Sequence, residues 1–135
     1  MKITNGKILI LTGLMHSLFG VLPIAYGKQF NRFSKSFFFK ISNGLSEFPL
    51  LNGQMNHETF SAFWFFYFGL IIISLGVLIR SIEKQNLQLP LGFIWSYLIV
   101  TSIGVYMVPF SGMTIFMLPH AIFMLLTHKK QNNEN

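Results

Sequence analysis

The side chains best suited to chemistry in this sequence are two histidines set deep inside apolar runs. His16 falls near the middle of the uncharged stretch Ile8 to Tyr26, and His120 is the central residue of another, Met113 to Thr127. An imidazole exchanges a proton close to neutral pH, so such a pair is suited to binding or protonating a ligand. At that depth a polar ring is costly unless it faces protein or water and finds a hydrogen-bond partner. His16 lies beside Ser17 and one turn from Gly13 and Gly20, on a small-residue face expected to pack inward. Pro119 has no N–H to donate to the carbonyl of Ile115, which leaves an acceptor one turn from His120. Both rings are therefore expected to point inward, and a polar-lined pocket is expected to touch at least one of them. Two readings of the pair stay open. In the structural one, each ring is satisfied by a carbonyl or hydroxyl and fixes helix register. In the functional one, the two imidazoles line a single cavity.

General acid–base catalysis would require a partner for these rings, and no carboxylate shares their runs. Glu47, Glu58, Glu83 and Glu134 all lie outside the apolar stretches. His57, Glu58 and Glu47 suggest a metal constellation only superficially, because adjacent helical residues point about 100° apart and no spaced pair such as His-x-x-x-His is present. They read better as a helix start, with Asn56 as N-cap and Glu58 complementing the dipole in the first turn. The chain has no Cys, which excludes thiol relays, thiolate metal sites and iron–sulfur clusters. No catalytic residue, metal or cofactor is assigned.

The histidines must be positioned by the four apolar runs Ile8 to Tyr26, Phe60 to Ile79, Leu91 to Val108 and Met113 to Thr127. The second is 20 residues without a charge, and a helix of that length spans ~30 Å, the thickness of a bilayer's hydrocarbon core. A chain of 135 residues cannot bury four such helices within itself. The composition agrees: 52% hydrophobic, 10% charged, and 16 Phe. The net charge of +6 comes from Lys and Arg scattered between the runs, a membrane pattern rather than a nucleic-acid face. The expected fold is all-α: a polytopic membrane protein with a four-transmembrane-helix bundle in residues 1–128 and a polar tail in 129–135. The first run, preceded by Lys2 and Lys7 and ending in Ala25-Tyr26-Gly27, has some likeness to a signal peptide. Its length and its Gly13, His16, Gly20 and Pro23 favour a retained span.

Loop charges set an orientation. The side holding both termini carries Lys2, Lys7, Arg80, Lys84, Lys129 and Lys130; the other holds Lys28, Arg32, Lys35 and Lys40. Six against four places both termini in the cytoplasm. From Lys28 to Ile41, Phe30, Phe33, Phe37 and Ile41 share one helical face, with Lys28, Arg32 and Lys35 opposite. That is the pattern of an amphipathic helix lying in the interface plane between spans one and two, as an anchor or as a lid. Asn43-Gly44 and Phe48-Pro49 then mark turns. Within the spans, Ala62, Gly69 and Gly76 recur every seven positions, a seam for close helix packing. Gly13, Ser17 and Gly20 do the same on span one, and Tyr97, Thr101 and Gly104 on span three. Trp64 and Tyr67, in an almost wholly aromatic segment, suit an aromatic belt or an apolar pocket.

Known four-span classes fail on their residues. A proton-coupled multidrug exporter needs a membrane-buried carboxylate, a disulfide-forming quinone reductase needs Cys, and a sterol-isomerase-like bundle needs acids beside its His and Trp. The segments Gly13 to Gly20, Phe63 to Gly69, Trp95-Ser96-Tyr97 and Met117-Leu118-Pro119-His120-Ala121 resemble those of a family of small uncharacterised four-span bacterial inner-membrane proteins. That resemblance implies architecture and location, and no activity. The function expected is a non-enzymatic module binding a lipid-like small molecule or a partner membrane helix within the bilayer, with no nucleic acid involved. Binding would fall to His16, Ser17, Trp64, Tyr67, Trp95, Tyr97, Thr101 and His120. The alternative is a small membrane enzyme acting on a lipid-soluble substrate through His16 and His120.

Overall fold

The computed structural model describes residues 3–37, 50–51, 54–55 and 57–133. Its elements are α1 (Asn5–Val21), α2 (Gly27–Phe37), a two-residue antiparallel pair β1 (Leu50–Leu51) and β2 (Gln54–Met55), α3 (His57–Lys84), α4 (Leu91–Met107), a π turn Met113–Met117 and α5 (Leu118–Asn133). Apart from that minimal hairpin, which no alternation in the sequence announces, the described chain is helical. Among the described residues one helix, Phe60–Lys84, is long and apolar enough to cross a membrane by length and composition, and Leu91–Met107 is a shorter apolar helix.

Element boundaries depart from the hydropathy pattern where charge and proline intervene. The first apolar run extends to Tyr26, but α1 stops at Val21. Pro23 disfavours helical backbone at Leu22 and supplies no N–H, so the chain turns. Ala25 and Gly27 both donate to the Leu22 carbonyl, at 3.1 and 2.9 Å. A Cβ on Gly27 would come within 2.6 Å of the Leu22 carbonyl carbon, so this turn requires glycine. The helix expected from Lys28 to Ile41 forms as α2, its last residues lying outside the described chain, as do Asn43-Gly44, Phe48-Pro49 and the N-cap residue Asn56. Conversely, α3 continues through Arg80, Glu83 and Lys84, which hydropathy assigns to a loop. It ends in a Schellman-type closure: Leu87 N–H reaches the Ile82 carbonyl at 3.3 Å, and Asn86 takes φ 57°. Asn tolerates that left-handed conformation better than most residues. Pro90 opens α4, its carbonyl accepting from Phe93 and Ile94. The π turn precedes Pro119, where an interrupted hydrogen-bond ladder is expected.

The chain divides into two compact units, Gly13–Ile73 and the pair Met1–Thr12 with Ser74–Asn135. In the first, the C-terminal part of α1 runs antiparallel to the N-terminal part of α3. A Cβ built on Gly13 would sit 2.6 Å from the Gly69 carbonyl oxygen, and one on Gly69 would meet the Ser17 hydroxyl. Ser17 Oγ donates to the Phe66 carbonyl at 3.2 Å. The α2 helix is anchored by Phe30, whose ring lies 4.8 Å from that of Phe66. Lys28, Arg32 and Lys35 are exposed.

In the second unit the same kind of packing recurs. A Cβ on Gly76 would be 2.7 Å from the Ile10 nitrogen, and one on Gly6 would be 2.5 Å from the Arg80 nitrogen. Of the seam expected from Ala62, Gly69 and Gly76, the two glycines therefore lie against α1, and Ala62 is buried as well. Glycine at these positions lets the helix backbones touch. Alongside, α4 packs on α5 through Ile94, Tyr97, Thr101, His120, Ala121 and Met124, all buried.

Candidate functional site

The sequence-predicted residues separate by unit and by exposure. His16 is half-buried, stacked on Phe65 at a centroid distance of 3.9 Å and edge-on to Phe68 at 6.2 Å. Ser17 is buried in the seam, while Trp64 and Tyr67 are exposed and belong to the aromatic cluster of Phe60, Phe63, Trp64 and Tyr67. Trp95 is also exposed. Tyr97, Thr101 and His120 are buried together between α4 and α5. Thr101 donates to the Tyr97 carbonyl of its own helix at 2.7 Å, so its hydroxyl is spent locally.

Tyr97 and His120 form the best-defined polar pair. The Tyr97 hydroxyl and His120 Nδ1 share a 3.3 Å hydrogen bond, with the rings edge-to-face at 5.7 Å. With Tyr97 donating, the proton of a neutral imidazole sits on Nε2. That atom is buried without a hydrogen-bond partner. His120 thus has a hydroxyl partner at one ring nitrogen and none at the other.

The cleft in this unit lies elsewhere, at the end where the start of α1, the end of α3 and the last turns of α5 converge. It has a volume of about 320 Å³ and is lined by Asn5, Glu83 and His128 on its polar side and Ile94, Phe123 and Met124 on its apolar side. Neither His16 nor His120 lines this cleft. Ile94 and Met124, one turn from Tyr97 and His120, are buried and belong to the apolar wall of the cleft.

Glu83 organises this end. Its Oε1 accepts from the Asn5 backbone N–H at 2.8 Å and from Asn5 Nδ2 at 3.1 Å, and its Oε2 accepts from the Gly6 N–H at 3.1 Å. The first turn of α1 carries no acidic residue of its own, so Glu83 satisfies its exposed N–H groups from across the unit. The sequence carried one clue that hydropathy passes over: an acidic residue in the last turn of α3 opposes that helix's own dipole, so it calls for a donor elsewhere. Among the described residues no cluster of His, Cys, Asp or Glu suits a metal ion.

No curated protein and no solved structure matches the chain. Correspondence is found at the level of a family alone: the model described as Family of unknown function (DUF6463) matches residues 1–131, nearly the whole sequence, and the chain belongs to that family.

Proposed function

We propose that this protein is a membrane-embedded, non-enzymatic module that binds a lipid-like small molecule. In this reading the helices form a four-span bundle in a bacterial inner membrane, with both termini in the cytoplasm and α2 lying along the opposite interface. The observation that carries it is the exposure of large apolar side chains along the helices, beside a few buried polar ones. On α4, Val100, Ile103, Tyr106 and Met107 are 54–88% exposed, whereas Thr101 is 2% exposed and, on α5, His120 is 4% exposed. Ser17, Thr101 and the seam glycines Gly13, Gly69 and Gly76 are buried, while large apolar side chains are exposed on α1, α3, α4 and α5 alike. In water so continuous an apolar surface is an aggregation liability; in lipid it is the expected exterior. At 17 residues, α1 and α4 are each about 25 Å long, a mismatch that local thinning and flanking polar side chains accommodate.

Binding is supported by the cleft, which joins a carboxylate and an amide to an apolar wall. Reporter fusions at Asn135 and within Asn52 to Gln54, together with native mass spectrometry of the purified protein, test the proposal. A cytoplasmic C-terminus, an external first loop and a co-purifying lipid are expected. A soluble protein or an external C-terminal reporter defeats the topology, and the absence of any bound amphiphile defeats the binding role. A partner subunit in the mass spectrum would point instead to a partner membrane helix as the occupant. The enzymatic alternative is favoured by the Tyr97–His120 pair, and turnover of a lipid-soluble substrate that His120→Ala abolishes would establish it.

A further inference from the structure

We infer that the cleft beside Glu83 receives the head of a zwitterionic amphiphile that carries a primary ammonium group, with the ammonium turned inward. This rests on the membrane reading above and specifies its ligand. The argument begins with hydrogen-bond capacity. A carboxylate offers about four acceptor positions, and Glu83 uses three of them on Asn5 and Gly6. The Asn5 amide is oriented by its donation to Glu83, which leaves Oδ1 as a buried acceptor without a partner. Thr127 also lines the cleft and spends its proton on the Phe123 and Met124 carbonyls, so its oxygen keeps only acceptor capacity.

The lining thus presents acceptors from α1, α3 and α5 and asks for a ligand rich in donors. A primary ammonium has three N–H groups and a positive charge, which matches the three residues in number and Glu83 in sign. A quaternary trimethylammonium has the charge and none of the donors. A simple amine is the poorer choice because the exposed Lys84 and Lys129, which follow the lining residues Glu83 and His128 in sequence, add positive charge near the cleft rim. A head that also carries a phosphodiester brings an anion to that rim.

Depth selects a lipid as the source. Glu83 lies in the last turn of Phe60–Lys84, the helix able to cross a bilayer, so the cleft falls at headgroup level. Ile94, Phe123 and Met124 then face the start of the acyl chain.

The test uses full-length protein stripped of lipid in detergent and titrated in native mass spectrometry. The probes are lauroyl lysophosphatidylethanolamine, lauroyl lysophosphatidylcholine and dodecylammonium. Ethanolamine lipid is expected to bind about tenfold more tightly than choline lipid, since the latter leaves buried acceptors unpaired. Asn5→Ala retains both backbone donors to Glu83 and is expected to lose most of that preference. Leu87 lines the cleft and is exposed, so Leu87→Lys leaves the fold intact and supplies a competing ammonium; it is expected to weaken the ethanolamine lipid about tenfold. Equal affinity for the two lipids overturns the ammonium assignment, as does wild-type binding by Leu87→Lys. Dodecylammonium bound as tightly as the ethanolamine lipid overturns the zwitterionic head. If none of the probes binds, the binding role proposed above fails as well.

Discussion

Where α1 meets α3, the chain leaves no room for a methyl group; where Glu83 meets Asn5, it leaves a cleft of about 320 Å³. Both regions join the same two helices, and they solve opposite problems. Along the seam, Gly6, Gly13, Gly69 and Gly76 remove side chains so that backbones touch, and Ser17 hydrogen-bonds a carbonyl across the contact. In lipid, where no hydrophobic force drives helices together, such close dispersion contacts and interhelical hydrogen bonds hold a pair. At the cleft, a charge and an amide face a space that the helices do not fill, and an acceptor is left over. Complete packing marks the part of the molecule that sets geometry. Incomplete satisfaction marks the part with capacity for something else.

The largest effect should come from filling the seam. A side chain on Gly69 collides with Ser17 and with the backbone of α1, neither of which can retreat without separating the helices. Gly69→Leu is expected to destabilise the protein by about 3 kcal/mol, seen as a lowered unfolding midpoint in detergent. Wild-type stability would mean that the helices do not approach closely at all. Next comes Glu83→Ala, which strips acceptors from two backbone N–H groups and an amide. It should cost about 2 kcal/mol and accelerate amide exchange at Asn5 and Gly6. Glu83→Gln keeps one acceptor oxygen and should recover part of the loss. If Ala and Gln behave like wild type, the cleft end is held by something other than this carboxylate.

The legibility of these two regions in the sequence differs for a physical reason. Ala62, Gly69 and Gly76 at sevenfold spacing announce a seam because close packing depends on residue size and period, which one helix displays by itself. The basic face of α2, with Lys28, Arg32 and Lys35, is legible on the same grounds. Glu83 is not, because its meaning depends on Asn5 and Gly6, nearly eighty residues away, and hydropathy places it in a loop. His16 and His120 stand out as polar residues in apolar runs, yet that contrast cannot tell a satisfied ring from a ligand-binding one. Tyr97 supplies a partner for one nitrogen of His120, and no local pattern marks the two as partners. The early stop of α1 was available in Pro23, a stronger signal than the run of hydropathy that continues past it.

A smaller effect tests the buried polar pair. Tyr97→Phe removes the hydroxyl from His120 Nδ1 while keeping the ring that fills the space between α4 and α5. The loss should be about 1 kcal/mol, since both ring nitrogens would then lack partners. It should leave ethanolamine-lipid binding unchanged, because Tyr97 does not line the cleft. A variant that loses the lipid while retaining stability would join the pair to the site after all.

The smallest effect sharpens the contrast by making one substitution in two places. Gly92 lies in the first turn of α4, and a Cβ built there meets nothing within 4 Å. It serves no close approach, so its lack of a side chain only adds conformational freedom to the unfolded chain. Gly92→Ala should therefore stabilise the protein by about 0.5 kcal/mol, with no change in lipid binding. Gly69→Ala adds the same methyl group inside the seam, against the Ser17 hydroxyl, its backbone nitrogen and the Gly13 carbonyl. There the propensity gain is outweighed by collision, and stability should fall. Opposite signs for the two alanines, measured as unfolding midpoints under one detergent condition, would show that glycine is required by contact at position 69 and by nothing at position 92. Matching signs would remove the close approach from the account of how α1 and α3 are held.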